Sequence, residues 1–409
     1  MSFQTGLSGL NASSQSLDVI GNNIANANTI GMKSSRAEFA DLVASTIGAG
    51  GANVSPGIGT AVGAISQQFT QGNVSITGNS LDIAINGSGF FQLTKPDGTT
   101  AYSRNGQFKL DKDGNIVTNT GANLMGYPTD TTGAATSTTP QKLALPTGAS
   151  IPAKVTGTIT AEMNLDARAP IASATTAPGQ YGTSVVAYDT QGNQVPLSLY
   201  FVKSANNTWS GYTDLTAAQT AITSADYSTA NATLVFSTTG TLISPTAATS
   251  ITLNSPYNGI GNFNVQLDLT KATQYGTDFA VSNLTQDGYT AGNFTGLSID
   301  SKGVITTTYS NGQTMKNGGM VALANFRNTQ GLTPTGGGEY TETFKSGQAQ
   351  LGKPTIGNYG ELRSGALEES NVDLTAELVN MMTAQRAYQA NAQTIKTQDQ
   401  IMSTLVNLR

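Results

Sequence analysis

The chain has 409 residues, of which only 11% are charged, with 46 glycines and a net charge of −5; a typical soluble protein carries about 25% charged residues. It contains no cysteine and no histidine, which excludes disulfides, thiolate metal sites, histidine-based triads and histidine-ligated zinc. No Lys/Arg cluster supplies a basic footprint, and no apolar run approaches the roughly 18 residues of a membrane span, so neither nucleic-acid binding nor membrane insertion is expected.

The first predicted element is a helix. Phe3, Leu10, Leu17 and Ile24 recur every seven residues, with Ile20 beside them. Gly21, Asn22, Asn23 and Asn26 interrupt this stripe, and both residue types are poor helix formers. Asn28 and Gly31 mark its end as a left-handed cap. No charged n-region precedes Lys33 and no cleavage signal is visible. The expectation is a cytosolic chain, or one exported without a cleaved leader.

Next comes Gly57-Ile58-Gly59-Thr60-Ala61-Val62-Gly63. It has neither the spacing nor the preceding strand of a dinucleotide-binding loop and reads as a flexible loop. Strand signals then dominate. Leu81, Ile83 and Ile85 alternate with smaller residues, Phe90 to Leu93 form an apolar run, and Phe108 and Leu110 alternate again. Asp111-Lys112-Asp113-Gly114, Asp189-Thr190-Gln191-Gly192 and Asp300-Ser301-Lys302-Gly303 fit type I turns closed by a left-handed glycine. The first of these lacks the glycine position and the bidentate Glu of a calcium loop. Residues 129–140 read as a linker and 171–180 as a loop, with strands at 184–188 and 197–202 and an Ala/Thr/Ser-rich stretch over 213–255. The pattern is read as an outer β domain at 149–287, inserted into an inner β domain of residues 72–148 plus 288–360.

The chain ends in a second helical pattern. Leu374, Met381, Tyr388, Ile395 and Met402 keep a seven-residue period, flanked by Leu378, Leu405 and Val406. Ser370 to Asp373 read as a capping box with Glu377 in the early turns. No Pro or Gly follows to Arg409, which allows a helix of roughly 50 Å. Heptads at both extremities, with little of their own domain to cover, predict a seam against partner helices. Candidate interface residues are therefore Phe3, Leu10, Leu17, Ile20, Ile24, Leu374, Leu378, Met381, Tyr388, Ile395, Met402, Leu405 and Val406. The fold class is mainly β, with nested β domains and a helical coiled-coil layer made by the two ends.

No catalytic, cofactor-binding or metal-binding residues are identified. A P-loop and a GxSxG elbow are missing. A carboxylate pair for glycoside hydrolysis is compatible with any such sequence, but Trp209 is the one indole available as a sugar platform. The chain is therefore not expected to be an enzyme, and no cofactor is expected.

Two segments resemble a known family. Ser8-Gly9-Leu10-Asn11-Ala12, continuing through Leu17 to Asn26 and Thr29-Ile30-Gly31-Met32-Lys33, is similar to the N-terminal signature of bacterial flagellar rod and hook proteins. Gly365 to Leu374, Glu377 to Met381, Gln385 to Gln389 and Ile395-Lys396-Thr397 resemble its C-terminal signature. Gly87 to Phe91, Tyr102 to Phe108, Tyr188 to Asn193 and the inserted domain favour the hook branch over the rod branch. Met32 departs from the family, whose members commonly carry an aromatic residue after the glycine.

The resemblance implies a tubular homopolymer. Residues 1–30 plus 368–409 would form its inner helical layer, and 31–71 plus 361–367 would connect that layer to the β domains. It implies a flexible joint passing torque from rod to filament, located outside the cell at the flagellar basal body. It further implies partners among the rod, hook-cap, hook–filament junction and export proteins. The terminal helices are expected to order only on assembly. Alternatives are a distal rod or other axial protein, or an extracellular β-rich adhesin or glycosidase.

Overall fold

Alternating and continuous apolar runs become strands over most of the chain, and the two heptad segments become its long helices. The structure is a computed structural model that describes residues 2–43, 57–146, 150–177, 179–257 and 259–407. Helix α1 is Ser2–Ala25 and helix α3 is Leu374–Asn407; a short α2, Leu215–Ser224, lies between them in sequence. The chain divides into two compact units. One comprises Met1–Gly148, Thr295–Thr308 and Thr314–Arg409, and the other Ala149–Phe294 and Tyr309–Gln313. The second is thus inserted into the first.

In the first unit, Phe90–Thr94 pairs antiparallel with Thr100–Ser103 and with Asn123–Tyr127. Ile83, Phe91, Leu93, Phe108, Ile116 and Leu124 form its core together with residues from far along the chain such as Val321, Leu323 and Leu362. Two ladders bring the C-terminal part home: Ile83–Asn86 pairs with Glu361–Ser364, and Val74–Ile76 with Ala366–Glu368. The start of α3 is therefore fixed close to where the chain leaves α1. Between them, strand β1, Ser35–Val43, and strand β2, Gly57–Gln67, form an antiparallel pair. The GxGxxxG segment expected to be a flexible loop is the first half of β2. Alternating Ala, Thr and Val, with partners along β1, decide this in favour of a strand.

The inserted unit contains two five-stranded sheets. One is a meander over Gly182–Tyr188, Gln194–Ala205, Thr208–Tyr212, Ala232–Phe236 and Leu242–Ser244. In the other, Thr158–Asp166 runs parallel to Phe263–Asp268 and antiparallel to Ala280–Gln286. Every second residue of Thr158–Asp166 points inward, so Ile159, Ala161, Met163 and Leu165 meet Leu199, Phe201 and Leu234 in one core. Trp209 is fully buried there, edge-on to Tyr181 at 5.2 Å, and is therefore no sugar platform. Helix α2 is a departure from the sequence reading of 213–255. Asp214 caps it by accepting the Thr216 N–H, and Ala218, Ala221 and Ile222 cover Val202 and Tyr212.

All three expected Asp-x-x-Gly turns form, with Gly114, Gly192 and Gly303 at φ of 80, 81 and 77°. A fourth, Asp130 to Gly133 with φ 89°, lies in the stretch expected to be a linker. The Asp130 carboxylate accepts N–H groups of Thr132 and Ala134, which makes this segment an ordered turn.

Candidate assembly interface

The helices α1 and α3 pack antiparallel. Asn23 donates to the Glu377 carboxylate at 3.0 Å. Towards the other end, a Cβ on Gly9 would come within 2.8–3.0 Å of the Asn391 side chain, and one on Gly6 within 3.1 Å of Ile395 Cγ1. The seam inside one chain is thus lined on α1 by Gly6, Gly9, Ala12, Ser16 and Ile20, at three- and four-residue spacing. Residues with little or no side chain let the two backbones approach closely, as the spacing of packed helices requires. Counting large apolar residues misses this stripe; a count of small residues at helical spacing would have found it.

The thirteen candidate residues divide into three groups. Ile20 is buried, and Leu10, Leu17, Ile24, Met381 and Ile395 are half-buried. Phe3, Leu374, Leu378, Tyr388 and Met402 retain 37–56% exposure. The side chains of Leu405 and Val406 lie outside the described residues. The structure brings Ile395 against Gly6 but leaves the exposed five as an uncovered apolar stripe on both helices. With 34 residues, α3 is longer than α1, which has 24. The pairing of Gly6 with Ile395 therefore leaves α3 beyond about residue 400 past the start of α1.

Each helix is tied to the β1–β2 hairpin by an asparagine. Asn23, almost fully buried, donates to Ser35 O at 2.7 Å and accepts the Ser35 N–H at 2.9 Å. Asn371, just before α3, accepts the Ser34 N–H at 2.8 Å and donates to Gln68 O at 2.7 Å. Asp373 caps α3 by accepting the N–H groups of Thr375 and Ala376. These asparagines thus serve as crosslinks rather than as poor helix formers.

Beneath them lies a buried charge cluster. Lys33 Nζ is 2.5 Å from Glu368 Oε1 and donates to Thr70 O at 2.8 Å. Arg104 reaches Glu368 Oε2 at 3.2 Å, donates to Gly87 O at 2.8 Å, and lies over the Phe90 ring. Burial pulls the Lys33 ammonium below its ordinary value, against the opposing pull of Glu368. Burial also pushes the Tyr340 phenol up to about 12. Gly31, at φ 70°, packs where a Cβ would lie 2.6 Å from the Asn105 N. Lys33, Arg104 and Glu368 each lie in a segment quoted for its resemblance, yet sequence reading gave none of them a role, because their convergence is visible only in three dimensions.

Among the described residues, no group of three or more acidic side chains could hold a metal ion, and no helix is long and apolar enough to cross a membrane. The arrangement is suited to association along helices and a hairpin.

Comparison with known proteins agrees with this geometry. The ends match family models described as flagella basal body rod protein, residues 3–33, and flagellar basal body rod FlgEFG protein C-terminal, residues 363–408. Both ends are thus similar to flagellar basal body rod proteins. Residues 84–162 match the flagellar hook protein FlgE/F/G D1 domain, and residues 164–289 the flagellar basal body protein FlaE D2 domain. The chain is 43% identical to the flagellar hook protein FlgE of Escherichia coli K12 over 100% of both chains. It is 33% identical to that of Borreliella burgdorferi, over 100% of this chain and 99% of the relative. A crystal structure of Helicobacter pylori flagellar hook protein FlgE2 shares the fold, with a TM-score of 0.52 and 16% identity over 72% of this chain and 100% of the other. The chain belongs to the flagellar hook protein family.

Proposed function

We propose that this chain is the structural subunit of a bacterial flagellar hook, polymerising with itself into a flexible tube that passes torque from rod to filament. The observation that carries this reading is the apolar stripe of Leu374, Leu378, Tyr388 and Met402, which its own chain leaves uncovered on a terminal helix. Such a stripe on a 34-residue helix is suited to neighbouring copies, whose α1 and α3 would complete an inner helical layer. The inserted β unit, Ala149–Phe294 with Tyr309–Gln313, adds a weakly charged surface to each copy. Its surface Thr, Ser and Asn make shallow contacts that neighbours can exchange as the tube bends. The subunit works mechanically and catalyses nothing.

Rod, hook-cap, hook–filament junction and export proteins are the partners this role requires. Electron microscopy of cells lacking the protein, and of the same cells supplied with it, tests the reading. A short curved tube at the filament base that appears only on complementation is expected. Intact hooks in the deletion strain would refute it.

A further inference from the structure

Resting on that reading, we infer that Phe344 is a knob that seats in a groove of the next copy of this chain. Phe344 is 104% exposed, more than any other large apolar residue described. Its loop is nevertheless tightly built. Ser346 is buried, its Oγ donates to Thr343 O at 2.9 Å, and it accepts the Thr343 N–H at 2.9 Å. Thr343 Oγ1 donates to Gly331 O at 2.6 Å, and Asn328 donates to Lys345 O at 3.1 Å. A Cβ on Gly331 would lie 2.3 Å from the Ser346 N, so the loop sits directly on its support. A loop whose backbone is fixed in advance has little left to order on docking, which favours Phe344 as an interface anchor.

The same unit carries a groove of about 910 Å³, walled by Val19 of α1, Val62 and Ile65 of β2, Pro334 and Tyr340. Ile65 is itself 57% exposed. Asp18 also lines the groove. The cation next to the knob, Lys345, complements this acid, and the ring complements the apolar walls. A second copy is the occupant: every copy carries both halves of the complementary pair, the Phe344–Lys345 knob and the groove with Asp18. Such a pair is heterologous, and repeated it yields an open helical assembly rather than a closed dimer.

The chain has no cysteine, so paired substitutions can be crosslinked cleanly. Subunits carrying Lys345→Cys, beside the knob, and Ala64→Cys, on the groove wall, keep the Phe344 ring; they are assembled at full length and treated with a short bismaleimide. A ladder of dimers, trimers and larger species is expected, with neither single variant giving more than dimers. Polymer that forms normally and gives no ladder overturns the docking pair while leaving the hook reading intact; failure of the unmodified chain to polymerise overturns both. Phe344→Ser is the second variant. It buries nothing within its own chain, so the circular dichroism of the monomer should be unchanged while assembly falls at least tenfold. Assembly at the unmodified rate overturns the proposal.

Discussion

Lys33 and Glu368 stand 335 positions apart in sequence and meet at 2.5 Å with both side chains fully buried. Arg104 shares the same carboxylate. Glu368 is thus one carboxylate shared by two cations, and the Gly72 N–H also donates to it at 3.0 Å. Removing one member of a buried ion pair typically costs about 3–5 kcal/mol, because the remaining charge is left without its partner. Glu368→Gln is expected to destabilise the first unit on that scale and to release the 31–33 loop. Denaturant unfolding measures the first effect, and hydrogen exchange at Gly31, whose N–H donates to Glu368 O, measures the second. A variant with unchanged unfolding would show that the cluster contributes nothing net.

The seam between α1 and α3 makes a graded prediction. Glycine in a helix costs about 1 kcal/mol relative to alanine. At Gly9 an added Cβ meets only the end of the Asn391 side chain, which can turn away. Gly9→Ala should therefore be neutral or slightly stabilising. Gly9→Leu has no room and should force the helices apart, reducing polymerisation without touching the β units. Circular dichroism and electron microscopy of the two variants separate these outcomes.

Ile395 lies against Gly6 on the same seam. Ile395→Asp places an unpaired carboxylate between the helices, where burial without a partner costs several kcal/mol. The variant should not build hooks, yet both β units should melt as before. Hooks of normal length from this variant would remove Ile395 from the interface.

How far these sites could be read from the sequence depended on the range of the interactions. Turns at Gly114, Gly192 and Gly303 are local, and Asp-x-x-Gly specifies them. The termini as helices were legible from heptads, since period survives poor propensity. Helix α2 was not legible because Ala, Thr and Ser carry almost no amphipathic contrast, and its stability comes from Asp214 and from packing on Tyr212. The small-residue seam was hidden because its signal is the absence of side chains. The Lys33–Arg104–Glu368 cluster was hidden for a different reason: three single charges far apart in sequence carry no periodicity. Asn23 was read as weakening α1, whereas its hydrogen bonds to Ser35 and Glu377 tie the helix to distant parts of the chain.

The buried turn at Asp189 predicts an acid dependence. Burial pushes its carboxyl up, but hydrogen bonds from Asn193, Gln191 and Ser255 outweigh that and hold it below the ordinary 3.8. A depressed folded-state value means the stabilisation is fully present above the ordinary value. It is lost as pH falls through the lower, folded-state one. Asp189→Asn keeps the shape without the charge, so the gap in melting temperature between the two proteins should be widest near neutrality and close on acidification. A gap that stays constant down to about pH 2 would show that the charge of Asp189 is not what stabilises the turn.

The last prediction concerns bending. The inserted unit has its own core of Leu199, Phe201, Trp209, Leu234 and Val265, and none of these residues belongs to the core of the first unit. Removing 149–294 therefore leaves the residues of the first core in place, and the helices and hairpin proposed to drive polymerisation remain. Contacts between the inserted units of neighbouring copies would be lost. A surface of exposed polar groups offers weak, interchangeable contacts, since exposed ion pairs contribute only about 0–1 kcal/mol each and a hydrogen bond about 0.5–1.5 kcal/mol. Many such contacts, repeated along a tube, set which curvature is lowest in energy. The shortened chain should still form tubes, but straighter or differently coiled ones. Image analysis of isolated hooks measures curvature directly, and an unchanged supercoil would place its control in the first unit instead.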